Sequence, residues 1–160
     1  MIDGVKIKEL KVIPDDRGEL MEMMRCDEEF YNGFGQVYMS TTYPGVVKGW
    51  HYHKLQEDNM VCMKGDLMVG LFDNRENSPT KGQTMKIFCG TKKPLLIHIP
   101  IGILHGWKNI GTEETYVVNV VTKPYNYENP DEFRVDPRDK NKQKEQLGTE
   151  IPFDWERHDH

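Results

Sequence analysis

Along most of the chain, apolar residues recur at every second position or in short unbroken runs bounded by Gly, Pro, Asn and Asp. Period two belongs to strands, where successive side chains point to opposite faces, and not to helices. The pattern predicts strands over Gln36–Thr42, 59–63, 67–73, 85–89, Leu95–Ile99 and 115–122. Turn chemistry falls between them. The stretches DNRENSPTKG (73–82) and NIGTEE (109–114) collect residues that supply turn dihedrals, and Met63-Lys64-Gly65-Asp66 predicts a tight hairpin turn. Strands at this spacing predict an all-β, closed or double-sheet barrel. Beyond Pro130 the charge density rises, a short helix is predicted over Lys140–Leu147, and Ile151-Pro152-Phe153-Asp154-Trp155 is expected to pack across the barrel. Residues 156–160 are expected to fray. With 160 residues, no internal repeat and no low-complexity linker, 1–160 is read as one domain.

Composition then narrows the partners. Twenty-one Lys and Arg against 26 Asp and Glu leave a formal charge of −5, so no basic excess exists to neutralise a broad row of phosphates. Nucleic acid and anionic membrane are not expected partners. Cys26, Cys62 and Cys89 are odd in number and widely spaced, and two of them lie inside apolar runs. That argues against a disulfide framework or a Cys-x-x-Cys zinc site and for reduced thiols. The opening Met-Ile-Asp-Gly-Val-Lys has no basic stretch leading into an apolar one, and no run approaches the ~18 apolar residues of a membrane span. A soluble, cytoplasmic protein is expected.

The candidate chemistry lies in two segments. His51 and His53, in Gly-Trp-His-Tyr-His, are two apart in a strand-like stretch, so both project to one face, about 6.5 to 7 Å apart along it. Glu57 and Asp58 follow. Later, in Pro100-Ile101-Gly102-Ile103-Leu104-His105-Gly106-Trp107-Lys108-Asn109, Pro and Gly are read as shaping a turn that presents His105. Gly45, His51-x-His53, Asp58 and Gly65 at their spacing resemble the first cupin motif, with Asp where Glu is usual. Pro100 to Asn109 resembles the second. The fold this implies is a double-stranded β-helix, the cupin jelly-roll barrel. In metal-binding cupins the matching positions are ligands, so a divalent metal held by His51, His53, Asp58 and His105 is one reading, and imidazole with carboxylate suits iron, manganese, nickel or zinc. The other reading keeps these histidines for binding or acid–base work without a cofactor.

From about Gly4 to Trp155 the chain also resembles the dTDP-4-dehydrorhamnose 3,5-epimerase family. Five stretches carry it: Asp16-Arg17-Gly18-Glu19-Leu20-Met21-Glu22, the strand opening at Gln36, Val47-Lys48-Gly49-Trp50-His51-Tyr52, Asp73-Asn74-Arg75 with Ser78-Pro79-Thr80, and Ile99-Pro100 through His105-Gly106. The resemblance implies a homodimeric isomerase of deoxysugar and cell-surface polysaccharide biosynthesis. Such an enzyme takes a nucleotide-linked 4-keto-6-deoxyhexose and inverts carbons beside the ketone or across from it, without a metal cofactor. A C–H next to a carbonyl yields to a modest base when the enolate is stabilised, and the carbon is reprotonated from the other face.

By position, His51 matches the base, with His53 and His105 as further catalytic candidates in the same pocket. Arg17 and Glu22 match residues holding the nucleotide and sugar, and Gln36 one contacting the base or its ribose. Lys48 stands where the family has an Arg facing phosphate, keeping charge but losing the bidentate fork. Tyr125 or Tyr127 matches the aromatic that stacks on thymine. The departures are specific. The family lysine that stabilises the enolate falls on Asp58, and its acid tyrosine falls near Asn119 or Val118, where Asn119 is expected to bind substrate instead. The aspartate that orients the base has no counterpart unless Asp154 or Asp159 reaches in from the tail. His53, with Lys54 and Gln56, also resembles the sugar-nucleotide 3,4-ketoisomerases, in which the same proton chemistry moves the ketone.

Overall fold

The computed structural model describes residues 1–156; of the stretch 156–160 predicted to fray, Glu156 is instead held by Lys108 and Arg138, and 157–160, with Asp159, lie outside the described residues. Strands β1 (Lys6–Glu9), β9 (Leu95–Ile99), β6 (Asp58–Lys64), β11 (Thr115–Val121) and β4 (Gln36–Thr42) form one antiparallel sheet in that order. Strands β12 (Phe133–Arg134), β5 (Val47–Tyr52), β10 (Ile103–Asn109), β7 (Asp66–Asp73) and β8 (Thr84–Gly90) form the second. Strands β2 (Val12–Asp15) and β3 (Gly18–Met21) pair only with each other. From β4 to β11 every connection except β7 to β8 carries the chain from one sheet to the other, which is the jelly-roll winding expected from the motifs.

Two sequence expectations are corrected by that winding. The turn at Gly65 (φ 82°) is not a hairpin, because β6 pairs with β9 and β11 while β7 pairs with β10 and β8. It is a corner between sheets, and a Cβ there would come within 2.6 Å of the Thr115 side chain. His105 is not presented by a turn: it sits inside β10, and the turn ends at Gly102. Gly106 lies inside the same strand. In the fold it lets β10 approach β5 so closely that a Cβ would lie 2.7 Å from both the Gly49 Cα and the Lys48 carbonyl oxygen.

Burial explains why some strands alternate and others do not. The space between the sheets is filled by Met60, Cys62, Val69, Leu71, Ile97, Ile103 and their neighbours. Each sheet is also covered on its outer side. Leu10, Val61 and Leu96 pack under Met21, Met23, Met24 and Phe30, while Trp50, Met68, Phe72 and Leu104 pack under Val135, Ile151 and Trp155. Strands β9 and β10 are therefore buried at every position and read as unbroken runs. Strand β11 is covered on one face and keeps strict alternation. Each fully buried Leu or Ile contributes roughly 1.5–3 kcal/mol relative to exposure.

The tail packs as expected. Trp155 lies 4.8 Å from Trp50 and 4.6 Å from Phe153 between ring centroids. Helix α1 (Lys140–Leu147) starts at Asp139, whose carboxylate accepts from the Asn141 and Lys142 N–H groups, and stops at left-handed Gly148. Eight residues are too few for a helix to persist alone. Its anchor is Gln143, fully buried, whose amide bonds the Asp136 carbonyl and the Ile151 N–H. No helix among the described residues is long and apolar enough to cross a membrane.

Candidate active site

Alternation along β5 turns Trp50 outward into the aromatic cluster of the tail and His51 inward. On β10, Leu104 faces out and His105 in, and the two histidines are register partners with ring centroids 4.0 Å apart. His53 follows the end of β5, 5.5 Å from His51 and 5.6 Å from His105. Asp58 opens β6 in the facing sheet. One donor atom from each of these four residues lies within 4.8 Å of the others.

Hydrogen bonds settle how the rings are oriented. The Nδ1 of His105 lies 2.9 Å from the Ile103 carbonyl oxygen, and the Nδ1 of His53 contacts the carbonyl oxygen of Asp131. A carbonyl only accepts, so both Nδ1 atoms carry hydrogen and both Nε2 atoms face the cluster. The Nε2 of His105 is 3.0 Å from Oδ2 of Asp58, and a proton must lie between them, since neither a bare imidazole nitrogen nor a carboxylate donates. Gln56 donates to the other Asp58 oxygen at 3.0 Å. The Nε2 of His53 is 3.6 Å from Asp58, too far for a hydrogen bond, and is buried without a partner.

The charges follow from this packing. Burial of Asp58 favours its neutral form, but His105 and His53 outweigh that and hold its carboxyl well below the usual range. His53 is likewise penalised by burial, yet Asp58 and the Asp131 carbonyl raise its pKa. For His51, burial first and neighbouring His105 second push the pKa well below 6.5, so its imidazole is neutral at physiological pH.

His51 and His53 open onto a cavity of about 1070 Å³ whose wall also includes Gln36, Tyr38, Lys48 and the loop 123–132. Lys48 is three residues from His51, which strict alternation would place on the other face. A register shift between His105 and Trp107 pairs it with Trp107 and returns it to the cavity, where its Nζ donates to Ser40 Oγ at 2.8 Å. Gln36 lines the cavity, and its Oε1 accepts the Tyr125 N–H at 2.8 Å, anchoring that loop. Tyr125 and Tyr127 are in edge-to-face contact on the same wall.

Other candidates lie elsewhere. His105 and Asp58 sit behind His51 as its supporting layer, outside the cavity lining. Arg17, at the tip of the β2–β3 hairpin, is exposed and paired with Asp15, and Glu22 is paired with Arg25; neither lines this chain's cavity. Asp154 is exposed and accepts the Glu156 N–H on the outer side of the second sheet, opposite His51. Asn119 stands behind the wall: its Oδ1 accepts the Asn59 N–H, and its Nδ2 donates to the Tyr38 hydroxyl at 2.9 Å. That second contact was missed in the sequence. Tyr38 shares the face of Gln36 two residues along β4, which was the available signal.

Against known proteins, residues 13–133 match the model for the polysaccharide biosynthesis C-terminal domain, about three quarters of the chain. The chain belongs to that family. Among characterised proteins, it is 42% identical over 135 residues to the spore coat polysaccharide biosynthesis protein SpsL of Bacillus subtilis, covering 84% of this chain and 89% of that protein. It is also 42% identical over 136 residues to the probable low-salt glycan biosynthesis epimerase Agl13 of Haloferax volcanii, covering 84% and 87%. Among solved structures, a dTDP sugar isomerase from Desulfovibrio desulfuricans superposes with a TM-score of 0.84 at 29% identity, covering 96% of this chain and 92% of that one. This member of the polysaccharide biosynthesis C-terminal domain family is thus a divergent relative of the dTDP-4-dehydrorhamnose 3,5-epimerases and shares their cupin fold.

Proposed function

We propose that this protein is a nucleotide-sugar epimerase of polysaccharide biosynthesis that inverts a carbon beside the ketone of a dTDP-4-keto-6-deoxyhexose. The observation that carries the reading is the placement of a neutral His51 and of Tyr38 on facing sheets around one cavity. Epimerisation needs a base on one face of the carbon and an acid on the other. His51 Nε2 or Nδ1 takes the C–H proton, the bonding pair becomes the enolate π bond, and charge collects on the ketone oxygen. The inverted C–H then forms with a proton from the Tyr38 hydroxyl. The orientation of Asn119 supports this assignment. Its Oδ1 is occupied by the Asn59 N–H, so its amide nitrogen must face Tyr38, and the phenol oxygen accepts there. The phenolic hydrogen stays available for donation. Burial and the nearby Asp58 charge push the Tyr38 pKa up to about 12, which keeps that proton in place.

Lys48 offers a cation for the diphosphate, and Tyr125 or Tyr127 a ring for the nucleobase. The decisive experiment is incubation with dTDP-4-keto-6-deoxyglucose in deuterated water, comparing the protein with His51→Asn. Deuterium at C3, or at C3 and C5, with inversion is the expected result, and the variant should lose it. A ketone moved to C3 would identify a 3,4-ketoisomerase, and no exchange with dTDP or UDP 4-keto sugars would refute the reading.

The unpartnered, buried Nε2 of His53 favours a second reading in which His51, His53, Asp58 and His105 hold a divalent metal. Carbonyl partners on Nδ1 of His53 and His105 are the arrangement that presents Nε2 to a metal. Such an ion would supply Lewis-acid stabilisation of the enolate oxygen. Near-stoichiometric metal in protein purified without chelator, lost in His53→Ala, would establish this reading over the metal-free one.

A homodimer is part of the proposal. Val37 and Met39 are exposed on the outer face of β4, whose far edge is unpaired, and the β2–β3 hairpin pairs with no other strand and leaves Ile13 and Leu20 exposed. Contact between two copies there would bring Arg17 toward the neighbouring cavity. Sedimentation as a monomer at micromolar concentration would rule this out.

A further inference from the structure

We propose that Asp131 is the positioning residue of the site, holding the His53 ring in the tautomer that directs Nε2 into the cluster and joining the loop wall of the cavity to the proton-handling histidines. The inference rests on the epimerase reading for its consequence, but its geometry stands without it. Asp131 is the penultimate residue of the loop 123–132 and is 78 residues from His53 in sequence, yet its backbone carbonyl is the acceptor for His53 Nδ1–H. That carbonyl is held in place by the Asp131 side chain. Oδ1 accepts the Lys54 N–H at 2.9 Å, and Oδ2 accepts the Leu55 and Gln56 N–H groups at 2.8 and 3.2 Å. One carboxylate thus clamps the three residues after His53, and the same residue's main chain fixes the His53 ring. A carboxylate accepting several backbone N–H groups is a strong, directional anchor. Immediately after it, β12 pairs Phe133 with Tyr52 and Arg134 with His51, so the clamp also sets the strand alongside the base.

Two features make this more than a loop closure. The His53 Nε2 is buried without a hydrogen-bond partner and Asp58 stands 3.6 Å away, so the only hydrogen bond that fixes the ring is the one on Nδ1. The loop's other end is tied by Gln36 to the Tyr125 N–H, so the wall carrying Tyr125 and Tyr127 runs between two fixed points, one at β4 and one at His53.

The test reads the tautomer directly. Long-range 1H–15N correlation spectra of the wild-type protein without substrate should show His53 protonated at Nδ1. Asp131→Ala should give mixed tautomers and lower kcat for solvent deuterium exchange about 10- to 100-fold, as loss of an orienting partner does elsewhere. Asp131→Asn, which keeps one accepting oxygen, should restore the wild-type spectrum and most of kcat. A wild-type His53 protonated at Nε2 and not at Nδ1, or an unchanged tautomer in Asp131→Ala, would overturn the assignment. Should Asp131→Ala fail to fold, the wild-type and Asp131→Asn spectra still decide it. If the spectra agree but the wild type turns over no nucleotide sugar, the epimerase reading fails and the positioning role of Asp131 stands.

Discussion

Replacing Tyr38 with Phe removes a single oxygen, and the structure allows its two consequences to be separated. The first is stability. Asn119 is buried, and its Nδ2 loses the hydroxyl it bonds at 2.9 Å. An unsatisfied buried donor costs about 1–3 kcal/mol, and because the Tyr38 hydroxyl lies at a cavity wall that water can enter, the low end applies. About 1 kcal/mol lowers Tm by about 2–4 °C in a domain of this size. The second is chemistry. A positioned general acid contributes about 10²–10⁴-fold, so inversion should slow by that factor. His51 is untouched and can still take the proton, exchange it with solvent and return it to the same face. The assay follows both events in deuterated water by NMR, scoring label in unconverted substrate separately from label in inverted product. Label should continue to enter the substrate while product nearly disappears. If inversion stays within about threefold of wild type, Tyr38 is not the proton source. A parallel loss of both signals would place it in binding instead.

Further outcomes follow from the same geometry. Because His51 is held below 6.5, exchange into substrate should rise with pH along an acid limb lying below that value and then stay level, whereas inversion should follow the same acid limb and fall near the Tyr38 value of about 12; an acid limb at or above 6.5 would contradict the packing. The unfolded chain protonates His51 more readily than the folded one, so this contribution to stability is present above 6.5 and is lost as pH falls through the folded value, which urea melts on either side of 6.5 will register. Trp155→Ala should cost about 3–5 kcal/mol by opening the Trp50–Phe153 cluster, and a loss under 1 kcal/mol by denaturant titration would show that the tail is dispensable. Gly106→Ala should destabilise by about 1–3 kcal/mol or more, because its Cβ would meet the backbone of β5 at 2.7 Å, and an unchanged melting midpoint would refute that close approach.

Local pattern alone determined much of this protein. Strands Gln36–Thr42 and Leu95–Ile99 and helix Lys140–Leu147 have the bounds read from the sequence, and the other four predicted strands differ by one residue at one or both ends. Period two, apolar runs and turn residues are set by neighbouring positions, and so they survive without knowledge of the fold. The pairing of His51 and His53 was legible for the same reason. The pattern predicts none of β1 to β3, β10 or β12: Lys6–Glu9, Val12–Asp15 and Gly18–Met21 are mostly exposed and carry little apolar signal, the Pro and Gly before His105 read as a turn, and Phe133–Arg134 is too short to show a period. What the site does was decided by tertiary closure. Gly65 turns the chain between sheets, the β5–β10 register shift returns Lys48 to the cavity, Tyr38 meets Asn119 across 81 positions, and Asp131 meets His53 across 78. Such contacts depend on which strands become neighbours and in what register. No local preference of the residues carries that information, because the same alternation is compatible with either sheet, and only the burial of both sheets around one core selects among the pairings.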